Sequence, residues 1–296
     1  MKRLTFIVIL VFLIFNGCST LDYKTSFENF NTSTASLSKN TQYCFDQLFL
    51  EEIDTRIAES LRKETFKPED IEPQVLSWSQ LQLRKELISS INTYAKLLTS
   101  LVIKDYQKEI YSNAASVKTS LEIINSYQET AMERPAFEGL DTKSISIFTT
   151  LVTGITEAIT ETGRRTFLNK IMSHYQPIIE SLSQKLITEM ETSASMIDNF
   201  YERQFLITVT IPWPDKEAGR DKFAKLGAAV LDRKRKIDTM IKEVINTLEL
   251  LPVSHRQLWD LVRYKKEPLS ALVQLTAAAG RLEAMYDNYA KEKKQK

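Results

Sequence analysis

The chain has 296 residues, with 39 Lys and Arg against 38 Asp and Glu, a formal net charge of +1, 43% hydrophobic and 26% charged residues. That is a globular balance, which excludes a disordered chain and a polytopic membrane protein. With only 7 Gly, 8 Pro, 2 Cys and 2 His, a turn-rich β or Rossmann-type fold and a disulfide scaffold are excluded as well, and little room is left for a His-based metal site.

Lys2 and Arg3 precede an apolar run over residues 4–15, followed by Asn16, Gly17 and Cys18. About 12 apolar residues are too few to span roughly 30 Å of hydrocarbon as a permanent helix, but they suit the core of a signal peptide. An ordinary secretory signal or an uncleaved anchor with an incidental Cys gives the same pattern. The Gly17–Cys18 pair behind this run resembles the lipobox of bacterial lipoproteins, although Phe15 and Asn16 depart from its usual Leu and small residue. The resemblance implies cleavage after Gly17, palmitate-type acylation of Cys18 and attachment to a membrane through that lipid. Ser19 and Thr20, with no Asp after the Cys, imply by the same resemblance the outer membrane of a Gram-negative envelope, facing the periplasm.

Loss of residues 1–17 removes two basic residues and leaves 37 against 38 acids, a charge of −1. A neutral body predicts no nucleic-acid partner and gives no electrostatic reason for docking on anionic lipid. Cys44, between Tyr43 and Phe45, is then the one free thiol, expected to be buried and inert.

Residues 19–26 read as a polar tether of at most about 27 Å, so the folded body, a single domain over residues 27–296, sits close to the membrane. A first helix is expected over residues 27–64, where Phe27, Phe30, Leu37, Cys44, Leu48, Ile53, Ile57 and Leu61 form one stripe. Pro68 and Pro73 with Glu69, Asp70 and Glu72 mark a turn and a helix start. Residues 74–129 carry no Gly or Pro and an unbroken three-and-four repeat. They predict one long helix of roughly 80 Å, with a break near residues 111–115 as the alternative. Residues 133–143, with Pro135 and Gly139, read as the clearest loop.

A third helix is expected over residues 144–174, with Asp141 and Thr142 as caps and Pro177 as its end or kink. A fourth follows to about residue 205. Residues 204–214 are the one strand-like stretch, with Ile207, Val209 and Ile211 alternating with Thr208 and Thr210, and Trp213 between two prolines. This segment reads as an ordered connector or frayed helix end packing Trp213 on the bundle, or as an apolar hook of Phe205, Ile207, Val209, Ile211 and Trp213 for a partner or a membrane. A fifth helix over residues 215–250, with Leu226, Val230, Ile237 and Ile241 in its apolar stripe, is closed by Pro252. Shorter pieces over 253–265 and 267–292 end the chain. Ala277, Ala278, Ala279 and Gly280 in the last piece are small enough to admit a neighbouring helix. The pattern as a whole predicts an all-α fold, an elongated antiparallel helical bundle with long, coiled-coil-like helices.

The sequence contains no phosphate-binding glycine loop, no GxSxG, no HExxH and no CxxC. His174 and His255 are 81 positions apart, and each sits by a proline where a helix end is expected. The basic run of residues 233–236 reads as a solvated helix face, with a phosphate contact as its alternative. These observations predict a non-catalytic, membrane-anchored interaction or scaffold protein of the cell envelope. It needs no cofactor, binds an envelope protein or the cell wall, and has its oligomeric state open. The alternative is a membrane-remodelling or pore-forming protein. Residues 145–159, apolar with Gly154, resemble α-helical pore-forming toxins in architecture alone.

Overall fold

The computed structural model describes residues 23–60, 67–73, 77–103, 107–130, 161–209, 216–265 and 269–295. The leader and Cys18, residues 19–22 of the tether, the 133–143 loop, the caps Asp141 and Thr142, the 145–159 segment, Ile211 and Trp213 lie outside these residues.

Six α-helices account for almost all of the described chain: α1 (Tyr23–Ser60), α2 (Trp78–Val102), α3 (Gln107–Thr130), α4 (Glu161–Val209), α5 (Lys216–Tyr264) and α6 (Ser270–Gln295). A 3₁₀ turn, Pro68–Ile71, precedes α2. The all-α class is the one the composition predicts, and no described residue is in a strand. Pro68 begins this 3₁₀ turn and Pro73 follows it, so neither starts the long helix. That helix starts at a capping box, in which Ser77 Oγ accepts from Gln80 N–H at 3.3 Å and Gln80 Oε1 accepts from Ser77 N–H at 3.0 Å.

Contacts along the helices fix their directions. The Thr99 hydroxyl donates to the Phe27 carbonyl at 3.1 Å, and Lys85 pairs with Asp46 at 2.5 Å, so α2 runs antiparallel to α1. Tyr94 stacks on Tyr175, and Arg84 pairs with Glu189, so α2 is also antiparallel to α4. The hairpin of α4 and α5 closes from Asn169–Trp259 to Asp198–Lys234. Ser33 meets Thr276 and Lys39 meets Glu283, which sets α6 parallel to α1. Thus α1, α4 and α6 point one way and α2 and α5 the other.

Among the described residues the core is one cluster to which all six helices contribute, running from Phe27 to Leu282. The α2 helix buries more than one stripe. Leu81, Ile88, Ile91, Ala95 and Leu98 share one side, and Leu83, Ser90 and Leu97, at intervals of seven, widen the buried arc. Packed on both sides, α2 occupies a central position, and α3 buries Ile110, Val117, Leu121 and Ile124 in the same cluster.

Several expected boundaries move. The expected 74–129 helix is two helices, because Ile103 is extended (φ −86°, ψ 117°) and ends α2 on a bond to the Thr99 carbonyl. A continuous rod would carry the second apolar stripe past its neighbours, whereas a second, separate helix lets both stripes be buried. The two helices expected around Pro177 are one helix of 49 residues, and Pro252 likewise lies inside the 49-residue α5. A helix-interior proline costs about 3 kcal/mol in isolation. Pro177 lies on the exposed face, where solvent reaches the carbonyl it frees, and the buried flanks of both helices outweigh the loss. The strand-like alternation at residues 204–209 is helical through Val209. At the end of α5, Lys265 adopts φ 54°, a left-handed geometry that favours Gly.

Gly280 faces open space, with no atom within 4 Å of where a Cβ would sit, so it admits no neighbouring helix. The close approach is one residue earlier, where Ser36 Oγ donates to the Ala279 carbonyl at 2.9 Å. Gly280→Ala therefore removes backbone entropy from the unfolded chain with no clash. Thermal unfolding is expected to show a gain of about 0.5–1 kcal/mol, or roughly 2 °C in Tm.

Candidate functional site

Three places hold polar or apolar groups in arrangements beyond ordinary packing. The first is a buried polar chain where α2, α4 and α5 meet. Gln176 Nε2–H donates to Glu180 Oε1 at 2.8 Å and to the Pro252 carbonyl at 3.2 Å. Its Oε1 therefore faces His255 Nδ1 at 2.5 Å and accepts from it. The His255 Nε2 lone pair then accepts from the Tyr94 hydroxyl at 2.8 Å. Arg256 donates to Glu180 and closes the chain at the surface. Tyr94 stacks on Tyr175 with ring centroids 3.5 Å apart, and Phe30 from α1 lies 6.1 Å from the imidazole.

His255 and Tyr94 are completely buried. Desolvation first, then the charge of Arg256, pushes the imidazole down to about 3 from an ordinary 6.5, so it stays neutral. Burial raises Tyr94 and Tyr175. Every nitrogen of His255 is committed to a protein partner, so the group is a register device rather than a base awaiting a substrate. His255 thus lies in the middle of a helix, not at the helix end that Pro252 suggests, and so does His174, which bonds to the Lys170 carbonyl at 2.8 Å.

The second place is a shallow groove of about 340 Å³ between α1, α2 and α6, lined by Lys39, Tyr43, Asp46, Asn92 and Tyr286. Its charges are already matched. Lys39 pairs with Glu283 at 2.5 Å and lies 4.0 Å over the Tyr286 ring, and Asp46 pairs with Lys85. The hydrogen bond between Lys39 and Glu283 raises the Lys39 pKa and lowers that of Glu283.

The third is the tip of the α4–α5 hairpin, where the apolar hook is expected. Phe205 is 38% exposed and lies across α5, its Cε2 3.6 Å from where a Cβ on Gly227 would sit. Leu206, Leu226 and Leu231 are about half exposed, and Ile207 is half-buried. Val209 closes α4. The structure therefore brings Phe205 and Ile207 to the tip, while the contribution of Ile211 and Trp213 lies outside the described residues. Leu226, read from the sequence as part of the buried stripe of α5, is exposed, and Leu231 carries no sequence signal of its own. Leu231 lies off the side on which Val230, Ile237 and Ile241 are buried, whereas Leu226 shares that side and is exposed one turn nearer the tip than Val230.

Below the tip, Gln204 Nε2 donates to Glu51 Oε2 and to Thr55 Oγ1, each at 3.0 Å, and Arg233 approaches Glu51 at 3.5 Å. Tyr201 lies beside this carboxylate, its pKa raised by burial first and by Glu51 second. Three of the four cations at residues 233–236 are paired with acids here. Lys234 pairs with Asp198 at 2.5 Å, and Lys236 pairs with Asp232 at 2.7 Å. Cys44 is buried, and burial pushes its thiol up, away from reactivity.

Among the described residues no three His, Cys, Asp or Glu converge as metal ligands, and no helix is long and apolar enough to cross a membrane. Compared with protein families, with curated proteins and with solved structures, the chain has no significant match.

The His255 chain makes stability depend on pH with a definite sign. The unfolded imidazole binds a proton below about 6.5 and the folded one only near 3, so the unfolded state gains protons as pH falls. The loss is about 1.4 kcal/mol per pH unit across that window. Denaturant melts between pH 7 and 4.5 are expected to show this slope, and His255→Gln to flatten it. Tyr94→Phe, which strands Nε2 in the core, is expected to cost about 1–3 kcal/mol at pH 7.

Proposed function

We propose that the chain is a lipid-anchored helical interaction protein of the bacterial cell envelope, held through Cys18, with no catalytic role. The observation that carries this reading is the closeness of the Gly17–Cys18 pair to the folded body. The first described helix is in place at Tyr23, five positions after Cys18. Five residues span at most about 17 Å, so a lipid on Cys18 holds the Tyr23 end of the bundle against the bilayer. The Gly17–Cys18 sequence itself supports outer-membrane attachment only through its resemblance to lipoproteins.

Two further features support an interaction role. The buried ionisable groups Tyr94, His255 and Glu51 are all engaged in hydrogen bonds between helices. The half-exposed leucines gather at the hairpin tip, the end of the bundle away from Tyr23. A 49-residue helix has a contour of about 73 Å, so this tip would meet an envelope protein or the cell wall well away from the lipid surface.

Metabolic labelling with a palmitate analogue tests the anchor. The chain is expected to take up label and fractionate with membranes, and Cys18→Ala is expected to lose the label. Full labelling of Cys18→Ala would overturn the reading. A photo-crosslinker at Leu206 is expected to give a discrete adduct in whole envelopes, which the same group at Lys96 on the side of the bundle does not.

A further inference from the structure

The net charge of −1 after removal of residues 1–17 conceals an uneven distribution. The end of the bundle where Tyr23 emerges is built from the C-termini of α2 and α5 and the N-termini of α4 and α6. Arg165, Lys170, Arg263 and Lys265 are exposed there. None of the four pairs with a carboxylate among the described residues, whereas the run at residues 233–236 is largely consumed by acids. Two acids also lie at this end: Glu28 pairs with Lys24 at 3.6 Å, and Glu109 is exposed. Asp260, half-buried, is the other acid at this end among the residues whose exposure is described.

Aromatic rings accompany the charge. The Arg263 guanidinium lies 5.0 Å from the Trp259 ring centre and 4.8 Å from that of Tyr264, which is 53% exposed. Trp259 is fixed by a 2.7 Å bond from its indole N–H to Asn169 Oδ1. Arg165 donates to the Val262 carbonyl, one of the last free carbonyls of α5, and its side chain remains exposed. Lys265 occupies a left-handed position where Gly would be more stable.

We propose that this end of the bundle is a docking face for anionic phospholipid headgroups, which orients the body upright on the membrane that holds its anchor. The inference rests on the lipid-anchor reading for its geometry: a tether of at most about 17 Å keeps this end at the bilayer. The chemistry then fits. Lys and Arg near an anionic surface each contribute about fivefold in affinity, and Trp and Tyr favour the headgroup level. Four such cations give binding at about millimolar lipid. That is weak alone, and ample once an acyl anchor has confined the protein to the surface.

The test uses residues 18–296 with Cys18→Ser, which retain every described core residue and carry no lipid. Co-sedimentation with vesicles of phosphatidylglycerol and phosphatidylethanolamine is expected at millimolar lipid, and is expected to vanish in high salt and with phosphatidylcholine alone. The pair Arg263→Gln and Lys265→Gln is expected to weaken binding about 25-fold. Lys222→Gln with Arg235→Gln, towards the tip, is expected to leave it unchanged. Lys265→Gly separates docking from folding, since it is expected to weaken binding while Tm holds or rises. Equal binding to phosphatidylcholine, no binding to the anionic vesicles, or equal loss from the tip variants would overturn the proposal. The anchor is absent from this assay, so its outcome is independent of Cys18 labelling.

Discussion

Burying a polar side chain is costly unless every one of its hydrogen-bonding atoms finds a partner, and this constraint sets how the helices of the bundle meet. Apolar stripes alone leave neighbouring helices free to slide, because one leucine fits a groove about as well as the next. The imidazole of His255 does not have that freedom. It needs the Tyr94 hydroxyl from α2 on one nitrogen and Gln176 from α4 on the other, so a single register satisfies it. Glu51 imposes the same condition on α1, α4 and α5 through Gln204 and Arg233. Arg84 and Glu189 hold α2 to α4 at a level between these two. The hydrophobic cluster supplies most of the driving force, and these polar groups select one arrangement from those it would allow.

Much of the helical architecture was legible because the signal is periodic. The stripe from Phe27 to Leu48, the Leu87–Leu101 repeat and the Leu272–Leu282 repeat are buried as their spacing predicts. What the sequence concealed were the places where tertiary contact overrides local preference. Pro177 and Pro252 read as breaks, since proline lacks an N–H and disfavours the preceding turn. Within helices of 49 residues, the flanking contacts are numerous enough to carry the chain through. Conversely, nothing around Ile103 marks a stop. That break exists because α2 and α3 each have an apolar face to bury, a property of the assembled bundle.

The candidate sites divide in the same way. Phe205 and Ile207 stand out by their apolar character, and of the readings open for them the helix end, not the strand-like alternation, matches the fold. β-branched alternation between Thr and Ile mimics a strand, while continuity with the preceding helix keeps residues 204–209 helical. Clustering of Arg165, Lys170, Arg263 and Lys265 has no sequence signature, because they come from two helices and a helix end almost 100 positions apart. Near-neutral total charge suggested an electrostatically featureless surface, and only the fold separates paired from unpaired cations.

The shared direction of α1, α4 and α6 has a mechanical consequence. A force applied between the Tyr23 end and the hairpin tip acts along the helix axes, so neighbouring helices are loaded in shear rather than peeled apart. Yielding by sliding requires a step of one helical turn, about 5.4 Å. Such a step would strip His255, Glu51 and Arg84 of their partners at the same moment. The bundle should therefore behave under tension as a stiff strut that gives way abruptly rather than as a spring that yields by degrees.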